Sequence, residues 1–125
     1  MLFDTDVIIW VLRGSNRAAA AIDRADSLEL SVVSYMELVQ GARNKGELRA
    51  TKAALTALKF QTLALTENIG HRASIYLEEY ALKSNIGVPD ALIAATAVEN
   101  GKPLCTANAR DYRSIAELEL RVFRP

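Results

Sequence analysis

The chain has 125 residues, half of them apolar, enough for one substantial core and too few for two domains. Its 15 basic and 15 acidic residues cancel, which excludes a global nucleic-acid coat or an acidic tail and leaves such roles to local patches. A single cysteine, Cys105, excludes an internal disulfide, and no apolar run approaches the ~20 residues that cross a bilayer.

The start, MLFDTDVIIW, lacks the basic stretch and small-residue cleavage site of a signal peptide, so a soluble, cytoplasmic protein without a membrane partner is expected. Met1 to Phe3 reads as a short buried strand that passes through Asp4, Thr5 and Asp6 into a helix over Val7 to Arg13, stopped by Gly14. That helix is apolar on nearly every side, which suits both a core and an interface with a second copy. Ser15 or Asn16 caps a second helix to about Ala25. Leu28 to Val33 reads as a strand, helped by β-branched Val32 and Val33. Ser34 to Glu37 has the S-x-x-E form of a capping box, so the next helix is expected to start at Ser34.

Gly41 and Gly46 bracket a break before a helix over about Glu47 to Lys59. Phe60 to Leu65 follows as a third strand. Thr66 caps the longest helix, where Ile69, Ala73, Tyr76, Leu77 and Tyr80 form one apolar stripe. Pro89 suits a first helical position and Gly101 a helix end. The residues between them, among them Ala91, Leu92, Ala94, Ala95, Ala97 and Val98, leave almost no polar face, so this helix belongs in the core with Asp90 at its mouth. Pro103 to Thr106 reads as a strand, Asn108 to Arg113 as a short helix and Leu118 to Phe123 as an edge strand. Strands alternating with helices predict a parallel sheet covered on both faces, with ligands outside the carboxyl ends of its strands.

Four acids fall near that edge: Asp4, Glu37, Asp90 and Asp111. Each has an ordinary local use, as a helix cap, a capping-box partner or a first-turn carboxylate, the last of these worth roughly 0.3–1 kcal/mol. Gathered together they repel, each pair at 4 Å by on the order of 4 kcal/mol at an effective dielectric of 20. A divalent cation resolves the conflict, and hard oxygen ligands suit Mg²⁺ or Mn²⁺.

DTDVIIW at Asp4 to Trp10, SVVSYMELVQGARN at Ser31 to Asn44, IGVPDALIAATAVENG at Ile86 to Gly101 and LCTANARDY at Leu104 to Tyr112 resemble, in order, the signature blocks of PIN-domain ribonucleases, and most of all VapC-type toxins of bacterial toxin-antitoxin pairs. The resemblance covers nearly the whole chain. It implies one domain over residues 1–125, a three-layer α/β/α sandwich with a mostly parallel sheet of about five strands, and metal-dependent endonucleolytic cleavage of RNA. It places the catalytic acids at Asp4, Glu37, Asp90 and Asp111, with Asp4, Asp90 and Asp111 holding Mg²⁺ or Mn²⁺ and Glu37 reaching it through water. Thr106, Asn108 and, in a secondary role, Asp6 are supporting groups. Ala107 departs from the arginine common in the family's T-R-N version. A homodimer and a cognate antitoxin are the implied partners.

The RNA substrate needs positive charge, and Arg43 to Phe60 carries Arg43, Lys45, Arg49, Lys52 and Lys59 against Glu47 alone, either a phosphate track or a solvated helix face. Tyr35, Tyr76, Tyr80 and Tyr112 are available to stack on bases, although Tyr76 and Tyr80 fit the core stripe better. His71 lies away from every block and is expected at the surface. Cys105, between Leu104 and Thr106, is expected to be a small buried strand residue. Two readings compete: a Mg²⁺-dependent phosphoacceptor of the receiver type, and a catalytically silent RNA- or antitoxin-binding module. The first wants a lysine just after its last strands, whereas Lys102 precedes one.

Overall fold

Leu2 and Phe3, adjacent on the first strand, point to opposite faces of the sheet and each is completely buried, so the molecule needs a layer on both sides. The computed structural model describes all 125 residues, Met1–Pro125. In chain order the elements are β1 (Leu2–Phe3), α1 (Thr5–Leu12), α2 (Asn16–Asp23), β2 (Glu29–Ser31), α3 (Val32–Gly41), α4 (Lys45–Ala57), β3 (Gln61–Leu63), α5 (Glu67–Tyr80), α6 (Val88–Glu99), β4 (Leu104–Thr106), α7 (Ala109–Tyr112) and β5 (Leu120–Val122). The five strands are all parallel in the order β3-β2-β1-β4-β5. This is the expected α/β/α sandwich.

One core layer joins Leu2 and Leu104 to Ile69, Ala73 and Tyr76 of α5 and to the buried alanines of α6. The other joins Phe3, Leu30 and Cys105 to Val7 and Ile8 of α1, Ala18 and Ile22 of α2 and Leu55 of α4. The register Leu2↔Leu104 and Phe3↔Cys105 keeps each face consistent across the strand pair. In α6 the one polar core residue, Thr96, returns its hydroxyl to the Leu92 carbonyl at 2.7 Å, so its burial leaves no orphan. The second half of α1 (Ile9, Trp10, Val11 and Leu12) is only half-buried against the second layer.

The capping signals read from the sequence mostly act where they were expected. Ser15 and Thr66 accept from the N–H groups of Ala18 and Ile69, and Gly14 and Gly101 take the left-handed φ values of +80° and +63° that end α1 and α6. Asn44, which the sequence reading did not name, caps α4 by accepting from Glu47 N, so that helix begins two residues earlier than expected. Pro89 is the second residue of α6, after Val88. The stretch after Leu30 differs from expectation. Ser31 is the cap, its Oγ accepting from Val33 N at 3.0 Å, and Val32 and Val33 are helical rather than strand. Ser34 and Glu37 therefore form no capping box. A nearer cap outcompetes β-propensity here, and it releases both side chains from local work.

Candidate active site

Strand order reverses between β1 and β4, because the chain builds β2 and β3 on one side of β1 and β4 and β5 on the other. Their carboxyl ends form the crevice where such sheets receive ligands. Asp4 follows β1 and Thr106 ends β4, and they meet there: Thr106 Oγ1 donates to Asp4 Oδ2 at 2.8 Å, while Thr5 N donates to Oδ1 at 2.8 Å. Thr106 Oγ1 in turn accepts from Asn108 N at 2.9 Å, and Asn108 Nδ2 donates to Asp111 Oδ2 at 2.6 Å. Asp90 reaches the same edge from the start of α6, where Tyr112 Oη donates to its Oδ1 at 3.2 Å. Glu37 accepts from Thr5 Oγ1 at 2.7 Å, with Ser34 Oγ 2.9 Å from the same hydroxyl.

Asp4 is 6% exposed and has no cationic partner. Burial, then the charge of Asp6, pushes its carboxyl up to about 7 against the Thr106, Thr5 and Tyr112 donors. Asp6 is also raised, first by burial and further by Asp90, and it accepts from Ala107 N at 3.2 Å through Oδ2. Its Oδ1 is buried with no hydrogen-bond partner. Asp90 is raised by burial and then by the charges of Asp111 and Glu37. All five acids thus share one field, although desolvation outweighs the mutual repulsion argued from the sequence alone.

No three of these acids meet closely enough to hold an ion among them. Mg²⁺ needs no such cage, since it keeps several waters and binds through one or two carboxylates. The donor set is entirely hard oxygen, and the orphaned Asp6 Oδ1 is a buried acceptor facing no hydrogen. These residues fit a divalent cation.

Three contributors were not singled out from the sequence: Thr5, Ser34 and the hydroxyl of Tyr112. Tyr112 is completely buried, so it holds Asp90 and cannot stack on a base. Burial, then Asp4 and Asp90, pushes its phenol far above the ordinary range, which keeps it a donor. Its place beside Asp111 in LCTANARDY was the available signal. Cys105 is 5% exposed and its thiol is pushed up to about 11, chiefly by burial, so it is inert packing. His71 is exposed and remote. Lys102 lies at the opposite end of the sheet, its Nζ 3.5 Å from Glu29, which removes the lysine a phosphoacceptor site requires.

A groove of about 830 Å³ opens beside Glu37 between α1, α3 and α4, walled by Ile9, Leu12, Leu38 and Ala54. Lys45, Arg49 and Lys52 share an exposed face of α4, whereas Arg43 is paired with Glu47 at 3.2 Å.

Residues 1–118 match the family model of the PIN domain. Ribonuclease VapC10 of Mycobacterium tuberculosis is 36% identical over 95% of this chain and 90% of its own length. Ribonuclease VapC of Rickettsia bellii is 30% identical over 96% and 93%. Among solved structures, a toxin-antitoxin complex from Klebsiella pneumoniae superimposes with a TM-score of 0.82 at 27% identity, covering 98% of this chain and 97% of the matched one. VapBC-1 from nontypeable Haemophilus influenzae, at 23% identity and a TM-score of 0.84 over 98% and 96%, shares the fold. The chain belongs to the PIN-domain family and, within it, to the VapC proteins.

Proposed function

We propose that this chain is a divalent-metal-dependent endoribonuclease, the toxin of a toxin-antitoxin pair. The observation that carries the reading is Asp4, a carboxylate buried at the switch point of the sheet, without a cation, among further acids. Asp4, Asp90 and Asp111 hold Mg²⁺ or Mn²⁺, directly or through water. When bound, the ion acidifies water and offsets the charge that grows on a phosphodiester under attack. Thr106 and Thr5 N fix both oxygens of Asp4, and Tyr112 and Asn108 orient Asp90 and Asp111. Glu37, steered by the Thr5 hydroxyl, would accept the proton of the attacking water. Attack by water with cleavage of the bond from phosphorus to the 3′ oxygen, which leaves and takes up a proton, gives 5′-phosphate and 3′-hydroxyl ends.

The toxin-antitoxin complexes among the structural relatives support an antitoxin partner. An antitoxin segment suits the apolar groove that opens onto Glu37, where it would block the acids, and the half-buried α1 suits a second copy of the chain. The basic face of α4, with Lys45, Arg49, Lys52 and, after release from Glu47, Arg43, guides RNA phosphates. The deciding experiment is cleavage of a mixed RNA pool by purified protein with Mg²⁺, with Mn²⁺ and with a chelator, beside Asp4→Asn. Metal-dependent cleavage lost in the variant is expected. Cleavage unaffected by Asp4→Asn, or 2′,3′-cyclic phosphate ends, would overturn the mechanism.

A further inference from the structure

A second groove, of about 470 Å³, lies between α2 and β5 and is lined by four of the ten arginines in the chain, Arg17, Arg24, Arg121 and Arg124, over a floor that includes Cys105 and Phe123. No carboxylate lines it. Among its four arginines one ion pair forms, at the rim, Arg121 Nη2 to Glu119 at 2.9 Å, and Arg17 Nη1 donates to the Pro125 backbone oxygen at 3.3 Å. In a protein of zero net charge this is a local concentration of positive charge in which one arginine of four is ion-paired with a side chain.

The arginines stand in order. Arg17 and Arg24 are seven residues apart along α2 and its C-terminal cap, about 10 Å of helix rise. Arg121 and Arg124 are three residues apart along β5 and its extension, about 10 Å of strand rise. Arg121 is in register with Cys105, and Arg24 is near enough for its charge to act on that thiol, so these two share a level. Arg17 meets Pro125 beside Arg124, which sets a second level at the carboxyl edge. There Phe123 N donates to the Thr106 carbonyl at 2.8 Å, the same threonine that holds Asp4.

We propose that this arginine groove is a phosphate track carrying the backbone of single-stranded RNA to the acidic cleft, separate from the face of α4. Guanidinium forks match phosphate oxygens in pairs, and two levels of them on a line ending at the acids suit a ligand whose charge repeats along its length. An acidic polypeptide would use the charge but has no reason to run toward the carboxylates. The proposal rests on the nuclease reading for its substrate.

The test titrates a labelled 12-nucleotide single-stranded RNA into the Asp4→Asn protein, which binds without cutting, over a range of salt. Arg24→Gln/Arg121→Gln is expected to weaken binding about tenfold or more and to flatten the salt dependence by ~1.4, two contacts at ~0.7 each. Arg17→Gln/Arg124→Gln supplies a second pair, and all four side chains are exposed, so thermal melts should superimpose. With the acids intact, the groove variants should cut a dinucleotide at the parental rate and long RNA with raised KM and unchanged kcat. Unchanged affinity and slope in both pairs overturns the track. Arginine-dependent binding of a glutamate decapeptide without arginine-dependent binding of RNA also overturns it, in favour of an acidic protein segment. If the parent protein cuts neither substrate, the nuclease reading falls, and the titration still decides the groove.

Discussion

Each end of the sheet buries a carboxylate, and the two are treated oppositely. At the amino end Glu29 is 3% exposed, yet its Oε1 lies 3.0 Å from the Met1 amine, 2.6 Å from the Ser27 hydroxyl and 3.5 Å from Lys102 Nζ. Burial alone would raise its pKa, but these donors together hold it below the usual glutamate range. At the carboxyl end Asp4 is equally buried, has donors but no cation, and sits at about 7. A buried charge surrounded by compensating charge is structural. One left uncompensated, among more of its own sign, marks a place where the fold accepts a cost for chemistry.

The sharpest way to break this comparison is to neutralise each acid in turn. Asp4→Asn should lower ribonuclease activity by more than ~100-fold, beyond the usual effect of losing an outer-shell partner, while metal-free stability at neutral pH holds or rises. Glu29→Gln should do the reverse, costing about 1–3 kcal/mol in urea denaturation, because its cationic partners are partly solvated, with the activity of the folded fraction retained. A stability loss for Asp4→Asn matching that of Glu29→Gln would erase the distinction.

The two ends should also titrate with opposite slopes. Asp4 ordinarily ionises near 3.8 and in the fold near 7, so the folded state holds more protons between those values. Metal-free stability therefore falls as pH rises from about 4 to about 7, by at most ~4 kcal/mol for this group. Asp6 and Asp90, also raised, pull the same way. Glu29, lowered from 4.5, contributes stability above that pH and loses it as pH falls further. Thermal melts should show Mg²⁺ stabilising the protein more at pH 8 than at pH 5, and Asp4→Asn should flatten the metal-free slope. The smallest effect is expected for Tyr112→Phe, which deletes one donor to Asp90: about tenfold in activity and about 1 kcal/mol in stability, read by steady-state kinetics and denaturation.

How far each feature was legible from the sequence follows the range of the interaction behind it. Caps at Ser15 and Thr66, the stop at Gly14 and the buried α6 are written in neighbouring residues, and the parallel sheet follows from the alternation of strands and helices. The start of α3 was misread because Ser31 and Ser34 are both competent caps and only the packed chain selects between them. At the site, Asp4, Asp90 and Asp111 were nameable from their places near element boundaries, whereas Glu37, read as a capping-box partner, lies inside α3, and Thr106 was named through the family resemblance. The Tyr112 hydroxyl was not, since its place beside Asp111 puts it near the site but does not say that it points at Asp90, 22 residues away.

Which residues are acidic, that strands alternate with helices, and which face of each helix is greasy were settled by order along the chain, because those are short-range matters of propensity and period. Which carboxylate would be neutralised by a cation and which left bare was decided only in three dimensions. Desolvation and charge pairing depend on what packs within a few ångströms, and Glu29 finds Lys102 there while Asp4 finds Asp6.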